Sequence, residues 1–457
     1  MSETFLAEAG SRSAAIEAFR PSPSFRLRVG IVGCGQVSEH HMRAMAPLIW
    51  RGRVVISALI DPNAERRRAL FSLIASEVSH PPRPIEASDL SDILEAVDEC
   101  LDAVLIAVPH DLHESVAASA LRAGVHVLLE KPLAPTLAAC DRLASVVDES
   151  VDNGLLVVSE QSAHWPEVTA CVQLIARGAI GRVVSVQADY FESMAATVFG
   201  GADPFNLGWR RSRARAGGGV VIDGGLHWIR PLRLLLGAEP EEVVAVTSNA
   251  FPELEMEGET LAHAILRTHD DRLATFRAAV SGRGAVAHTA APFLRVTGQV
   301  GELVISGTGL LPGGGGLRLF APHLPSEGEE QLAPSERRGF CAAFEGMWAE
   351  FVHIVETGDR AAAHANVRAA RTDVAIALAM YDSARQRSWV RLGCSGEKKA
   401  EGGRLVRSAW RVASVMGVVA VAATASVLLF SPRSTSCISA HLHKASDLLN
   451  GRMKRGR

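Results

Sequence analysis

The 457-residue chain is longer than one typical domain, and two domains with extensions are the natural expectation. Its 47 basic and 50 acidic side chains nearly cancel, which gives no electrostatic reason to expect nucleic acid or another polyanion as partner and favours a small-molecule ligand. The seven cysteines, at 34, 100, 140, 171, 341, 394 and 437, include no Cys-x-x-Cys pair and no His/Cys cluster at zinc spacing, so they read as reduced thiols in a cytoplasmic protein with no metal site.

Residues 1 to 24 mix acidic and basic side chains without a continuous apolar core and read as a flexible leader. From Arg28 the chain alternates short apolar runs with helical spacing. Strands are expected at Arg28–Val32, Val54–Ile60, Ala103–Val108, Val125–Leu129 and Leu155–Val158, with helices from the glycine turn to Trp50 and at Ala64–Glu77, Leu90–Val97, Leu112–Ala123 and Leu137–Ser150. Apolar strands separated by helices imply a parallel sheet covered on both faces, a dinucleotide-binding architecture over residues 25–158.

The first strand runs into Gly33-Cys34-Gly35-Gln36-Val37-Ser38. Between a strand and a helix, glycines let backbone amides approach a pyrophosphate at the helix N-terminus, so Gly33, Gly35, Gln36 and Val37 are candidate cofactor contacts. The competing reading is a tight turn that binds nothing. Asp61, at the end of the second strand, can accept both ribose hydroxyls, which favours NAD over NADP. Arg66, Arg67 and Arg68 one turn later keep NADP as the alternative, and Asp61 can also serve as a helix cap.

The third long strand ends in Pro109-His110-Asp111-Leu112-His113, at the carboxyl edge where such sheets bind ligands. Pro109 and His113 are candidate cofactor contacts, with His113 also read as stabilising local structure and His110 as loop surface. The next strand ends in Glu130-Lys131-Pro132. Glu130 and Lys131 join the cofactor set, and Lys131 is also a catalytic candidate: an ammonium beside a cofactor can polarise a substrate oxygen or exchange protons. A salt bridge to Glu130 is the structural alternative.

After about residue 160 the strands lengthen and become amphipathic: Val183–Phe191, Glu241–Ser248, Ala262–Thr268, Leu273–Ser281, Phe293–Thr297 and Glu302–Ser306. They predict a large, mostly antiparallel sheet in an α+β domain over 159–392, closed by helices at Gly339–Thr357 and Val367–Arg387. Gly313–Gly316 reads as a loop between such strands. Gly217-Gly218-Gly219 leads to Asp223 and His227, spaced to share one face if this stretch is helical, with the carboxylate orienting the imidazole or binding a hydroxyl.

Residues 393–457 form a linker and tail. Within them Val412–Ser431 is an uncharged stretch of about bilayer-spanning length between basic flanks, read either as a membrane anchor or as a poorly structured appendage.

The elements RVGIVGCGQVS, LIDP, AVPHDLHESVAASALRAGVHVLLEKPL, LIARGAIGRV and GWRRSRARAGGGVVIDGGLHWI together resemble the glucose-fructose oxidoreductase and inositol dehydrogenase family, Gfo/Idh/MocA, over roughly residues 26 to 392. The resemblance implies an N-terminal Rossmann domain, a C-terminal domain with an open sheet, self-association into a homo-oligomer, and a catalytic lysine, aspartate and histidine mapping onto Lys131, Asp223 and His227. It implies hydride transfer between NAD or NADP and a secondary hydroxyl of a sugar, inositol or related polyol. A tightly held cofactor with internal hydride return and a non-catalytic dinucleotide-binding regulator are the alternatives. Two departures stand out: Arg230 replaces an acid common three residues after the histidine, and the Leu155–Val158 strand is followed by Ser159-Glu160-Gln161-Ser162-Ala163-His164-Trp165. Gln161, His164, Trp165 and Arg210 are therefore candidate substrate contacts, with core packing as the alternative for Trp165 and a solvated loop for Arg210.

Overall fold

The computed structural model describes residues 25–96, 101–149, 154–193, 207–281, 292–306, 316–321, 329–332 and 340–392. The leader, the tail with its 412–431 stretch, and most of the 313–316 glycine loop lie outside these residues. Among the described residues no helix is long and apolar enough to cross a membrane.

The first sheet is built from β1 (Leu27–Val32), β2 (Val54–Ile60), β3 (Ile85–Ala87), β4 (Ala103–Ile106), β5 (His126–Glu130) and β6 (Leu156–Ser159), in the order β3-β2-β1-β4-β5-β6. Every pairing is parallel. The connections are α1 (Gln36–Trp50), α2 (Ala64–Glu77), α3 (Leu90–Ala96), α4 (His113–Arg122) and α5 (Leu137–Glu149). The central strands are continuous apolar runs because both faces are covered. Val32, Val104, Val127 and Val158 face one core, and Ile31, Leu105, Leu128 and Val157 face the other. Strand β3, only three residues long, escaped the sequence reading.

Among the described residues the second sheet has nine strands: β7 (Val183–Ser193), β8 (Pro240–Ser248), β9 (Leu261–Thr268), β10 (Leu273–Ser281), β11 (Pro292–Gly298), β12 (Glu302–Ser306), β13 (Gly316–Phe320), β14 (Glu329–Leu332) and β15 (Val390–Arg391). They run in the order β14-β13-β12-β11-β7-β10-β9-β8-β15. All pairs are antiparallel except β7 with β10. The inner face packs on α6 (Pro166–Ala176) and α8 (Leu226–Leu236), the latter following a single turn, α7 (Arg213–Ala216). Along β9 the residues alternate buried and exposed, the signature of a sheet with one covered face.

Helices α9 (Phe340–Thr357) and α10 (Arg360–Gln386) return to the first sheet. Phe344, Trp348 and Phe351 of α9 join the core on one of its faces, while Val367, Ala370 and Val374 of α10 join the core on the other. Helix α10 begins seven residues before the expected Val367 because Asp359 caps it, its carboxylate accepting from the Ala362 amide at 3.0 Å. Both sheets belong to one compact unit of the chain ending at Ser395.

Candidate active site

A cleft of about 1130 Å³ opens at the carboxyl ends of the first sheet's strands, reaching from the glycine turn and Asp61 to Lys131, Gln161, Arg210 and His227. Gly33 has φ +90°, and a Cβ there would lie 2.3 Å from the Ala107 carbonyl oxygen, so backbone conformation and space both require glycine. Gly35 is different: a Cβ added to it would meet nothing within 4 Å, leaving the amides at the start of α1 open to the cleft. Ser38 fits the third position of the motif because its hydroxyl donates to the Gly33 carbonyl at 2.6 Å while the residue is fully buried.

Asp61 is buried, and its carboxylate accepts from the Cys34 amide at 2.9 Å and the Asn63 amide at 2.8 Å. The capping role weighed for Asp61 belongs instead to Asn63, whose side chain accepts from the amides of Glu65 and Arg66 at the start of α2. Arg67 is committed to the Asp61 carbonyl and to Glu86, so of the three arginines it is Arg66 that lines the cleft.

Pro109 lines the cleft where β4 ends. His113 lies behind it, buried, with its ring nitrogens 2.7 Å from the Pro132 carbonyl and 3.0 Å from the Val108 carbonyl, tying the loops after β4 and β5 together. His110 is not loop surface: it is buried, edge-on to Trp209, with Nδ1 2.9 Å from the Ala216 carbonyl and Nε2 3.9 Å from Asp223. Burial pushes its pKa well below the ordinary imidazole value.

Glu130 is engaged by groups other than the Lys131 ammonium. It accepts from His41 Nε2 at 2.8 Å and from the Ser159 hydroxyl at 2.9 Å, while Trp348 Nε1 donates to His41 Nδ1 at 3.0 Å and so fixes the histidine tautomer. The Lys131 ammonium instead donates to the Asp223 carbonyl at 2.7 Å and to its carboxylate at 3.3 Å. Arg210 Nε donates to the other carboxylate oxygen at 2.9 Å, and its guanidinium lies over the Trp209 ring. Burial alone would raise the Asp223 carboxyl, but the charges of Arg210, Lys131 and His110 outweigh it and hold the group far below the usual carboxylate range.

Asp223 and His227 do not share a helix face. Residues 220–225 form turns, and α8 begins only at Leu226 with Gly225 as its cap. Two consecutive glycines weaken helix by about 1 kcal/mol each, which stops α8 short of Asp223. His227 therefore meets a different carboxylate: its Nδ1 lies 2.7 Å from Glu160 Oε1, at the turn after β6. The polypeptide around Asp223 is pinned by Glu259, whose carboxylate accepts from the amides of Gly219 and Val221 and from the Tyr381 hydroxyl.

Of the candidate substrate contacts, Gln161 is 1% exposed, lines the cleft, and has neither amide atom hydrogen-bonded. His164 pairs instead with Glu350 at 3.1 Å, and Trp165 packs edge-on to Trp228 in the core of the second sheet. The solvated-loop alternative for Arg210 is set aside by its bond to Asp223. Sequence reasoning missed Glu160, although it stands beside Gln161 at the carboxyl end of a parallel strand. It also missed Glu192 on β7, where burial and then Asp223 raise the carboxyl pKa and the Tyr190 hydroxyl donates to it.

The N-terminal sheet matches the family model described as oxidoreductase family, NAD-binding Rossmann fold, over residues 27–155, and residues 168–304 match the GFO/IDH/MocA C-terminal domain. A dTDP-3,4-didehydro-2,6-dideoxy-alpha-D-glucose 3-reductase of Actinomadura kijaniata is 30% identical over 227 residues, 50% of this chain and 61% of that protein. A 1,5-anhydro-D-fructose reductase of Ensifer adhaerens is 36% identical over 155 residues, 34% of this chain and 43% of that protein. A levoglucosan dehydrogenase of Pseudarthrobacter phenanthrenivorans is 30% identical over 233 residues, 50% of this chain and 55% of that protein. The match thus spans between about two fifths and three fifths of these relatives. Among solved structures, an oxidoreductase domain protein from Kribbella flavida covers 80% of this chain and 99% of its own at TM-score 0.67 and 22% identity. A levoglucosan dehydrogenase in complex with NADH and levoglucosan covers 80% of this chain and 100% of its own at TM-score 0.64 and 20% identity, and at these identities the likeness is one of fold. With both of its domains matched in order, the chain belongs to the Gfo/Idh/MocA family of oxidoreductases.

Proposed function

We propose that the protein is a nicotinamide-dependent dehydrogenase acting on a secondary hydroxyl of a sugar, inositol or related polyol, with Lys131, Asp223 and His227 as its catalytic residues. The observation that carries this reading is that Lys131, from the end of β5, and His227, from the second domain, line one cleft that starts at the glycine turn, with the Lys131 ammonium joined to Asp223. The chain's residues fit a dinucleotide. The open amides around Gly35, Gln36 and Val37 suit a pyrophosphate, the Asp61 carboxylate suits ribose hydroxyls and favours NAD over NADP, and Pro109 and Lys131 stand where the nicotinamide end would lie. Bound there, the cofactor supplies the acceptor or donor of the hydride.

For oxidation, the Lys131 ammonium donates to the substrate oxygen and stabilises the negative charge that develops on it. His227 takes the hydroxyl proton as the carbon-bound hydrogen departs with its electron pair. Asp223 holds Lys131 and Arg210 in place, and the unpaired amide of the buried Gln161 is suited to a substrate hydroxyl. Glu130 and His113 shape the wall behind Lys131. Burial of unpaired thiols at Cys34, Cys140 and Cys171 supports a cytoplasmic setting. Exposed Val246, Ile265, Leu273 and Trp389 of the second domain support self-association.

The test is a nicotinamide-reduction screen of sugars, inositols and nucleotide sugars with NAD and NADP in parallel. Reduction dependent on one polyol class supports the proposal; binding of NADH with no turnover across the panel contradicts it.

A further inference from the structure

We propose that Glu160 is the positioning residue of His227: its buried carboxylate accepts the Nδ1 proton of the imidazole and leaves Nε2, on the far side of the ring, bare toward the cleft. Glu160 Oε1 lies 2.7 Å from His227 Nδ1, and the Glu160 side chain is 2% exposed against 16% for the histidine. An ionised carboxylate only accepts hydrogen bonds, so a neutral imidazole facing it must carry its proton on Nδ1 and its lone pair on Nε2. This is the arrangement a proton-accepting histidine requires, and it is lost if the proton moves to the other nitrogen.

The carboxylate is built to stay ionised. Burial would raise its pKa, but the imidazole, its hydrogen bond, the Arg230 guanidinium and the Ser162 hydroxyl bring it down to about 2. The Ser162 amide and hydroxyl donate to the same Oε1 at 3.1 and 2.7 Å, fixing its position. Arg230, the residue that departs from the family pattern, pairs with the buried Asp373 at 2.6 Å and contributes its positive charge next to Glu160. The other charged groups facing His227 are Glu130 at the end of β5 and Glu192 on β7, with Lys131 and Asp223 beside Glu192, and Glu160 is set apart from them by its direct bond to the ring.

The consequence for catalysis rests on the dehydrogenase reading, whereas the tautomer can be read without turnover. The experiment is nitrogen NMR of the full-length, NADH-loaded protein carrying ¹⁵N-labelled histidine, with the His227 signals identified by their loss in His227→Asn. The expected wild-type result is a protonated Nδ1 and an unprotonated Nε2. Glu160→Gln, which can present an amide N–H to the ring, should shift the population toward the Nε2-protonated form. An Nε2-protonated wild type, or a Glu160→Gln spectrum identical to wild type, overturns the proposal; the wild-type spectrum decides even if Glu160→Gln fails to fold. With a substrate from the screen, Glu160→Gln should lower kcat on the order of a hundredfold while NADH affinity stays within about twofold. A protein that turns over no polyol yet keeps the Nδ1-protonated form would defeat the dehydrogenase reading and leave the positioning role standing.

Discussion

Lys131 and Asp223 are joined twice, through the aspartate's main-chain carbonyl at 2.7 Å and its carboxylate at 3.3 Å, so the end of the nucleotide-binding sheet is fastened to the turn that precedes α8. Arg210 and His110 converge on the same carboxylate. One partly buried anion thus opposes a lysine and an arginine, with the buried His110 ring beside it, which makes it costly to remove.

Asp223→Asn should therefore destabilise the protein by about 2 to 4 kcal/mol, because the cations lose their counter-charge while the side chain keeps its shape. Denaturant titration checks this. A change below about 0.5 kcal/mol would mean the network does not hold the two regions together.

The two glycines of the first turn should separate stability from binding. Gly33→Ala forces a side chain into a left-handed conformation and against the Ala107 carbonyl, and should cost about 2 kcal/mol or more. Gly35→Ala meets no protein atom within 4 Å, so it should leave stability within about 0.5 kcal/mol while weakening NADH binding roughly tenfold or more. Thermal melting and fluorescence titration of both variants read the two effects. Equal losses of stability would contradict the assignment of Gly35 to the cofactor.

Asp61→Asn keeps an acceptor for one of the two backbone amides that the carboxylate now holds and removes the charge that repels a 2'-phosphate. The ratio of NADP to NAD affinity should rise by about tenfold, with an accompanying stability loss of about 1 kcal/mol. Parallel titrations with the two reduced cofactors measure the ratio, and an unchanged ratio would remove Asp61 from cofactor selection.

Glu160 gives the stability curve a defined acid limb. Its carboxyl lies at about 2 in the folded protein against an ordinary 4.5, so its contribution is complete above about pH 5 and is lost as the pH falls through about 2. The advantage of wild type over Glu160→Gln, no more than about 3 kcal/mol, should be full at pH 6 and shrink on acidification. Denaturation at pH 6 and pH 3 compares them. A gap independent of pH would mean the carboxylate's charge is not what stabilises this turn.

The parallel sheet was legible in the sequence because strands covered on both faces are continuous apolar runs, and the glycine turn, Asp61 and Lys131 sit at their carboxyl ends where chain order alone locates them. Short or weakly patterned pieces were not: β3 has three residues, and α10 starts before its apolar periodicity does. The pairing of side chains was the least accessible layer. Asp223 and His227 looked like partners from their spacing, yet Gly224 and Gly225 end the helix between them, and each finds its partner far along the chain, Asp223 in Lys131 and His227 in Glu160. Local spacing constrains neighbours on one element; it carries no information about which distant carboxylate a fold delivers to a ring.

The most direct test of the account is Lys131→Ala, assayed in the full-length protein for NADH binding and for nicotinamide reduction with the best polyol from the screen. The account predicts cofactor affinity within about threefold of wild type and turnover lowered about a hundredfold to ten-thousandfold. Turnover at the wild-type rate with the cofactor still bound would contradict it.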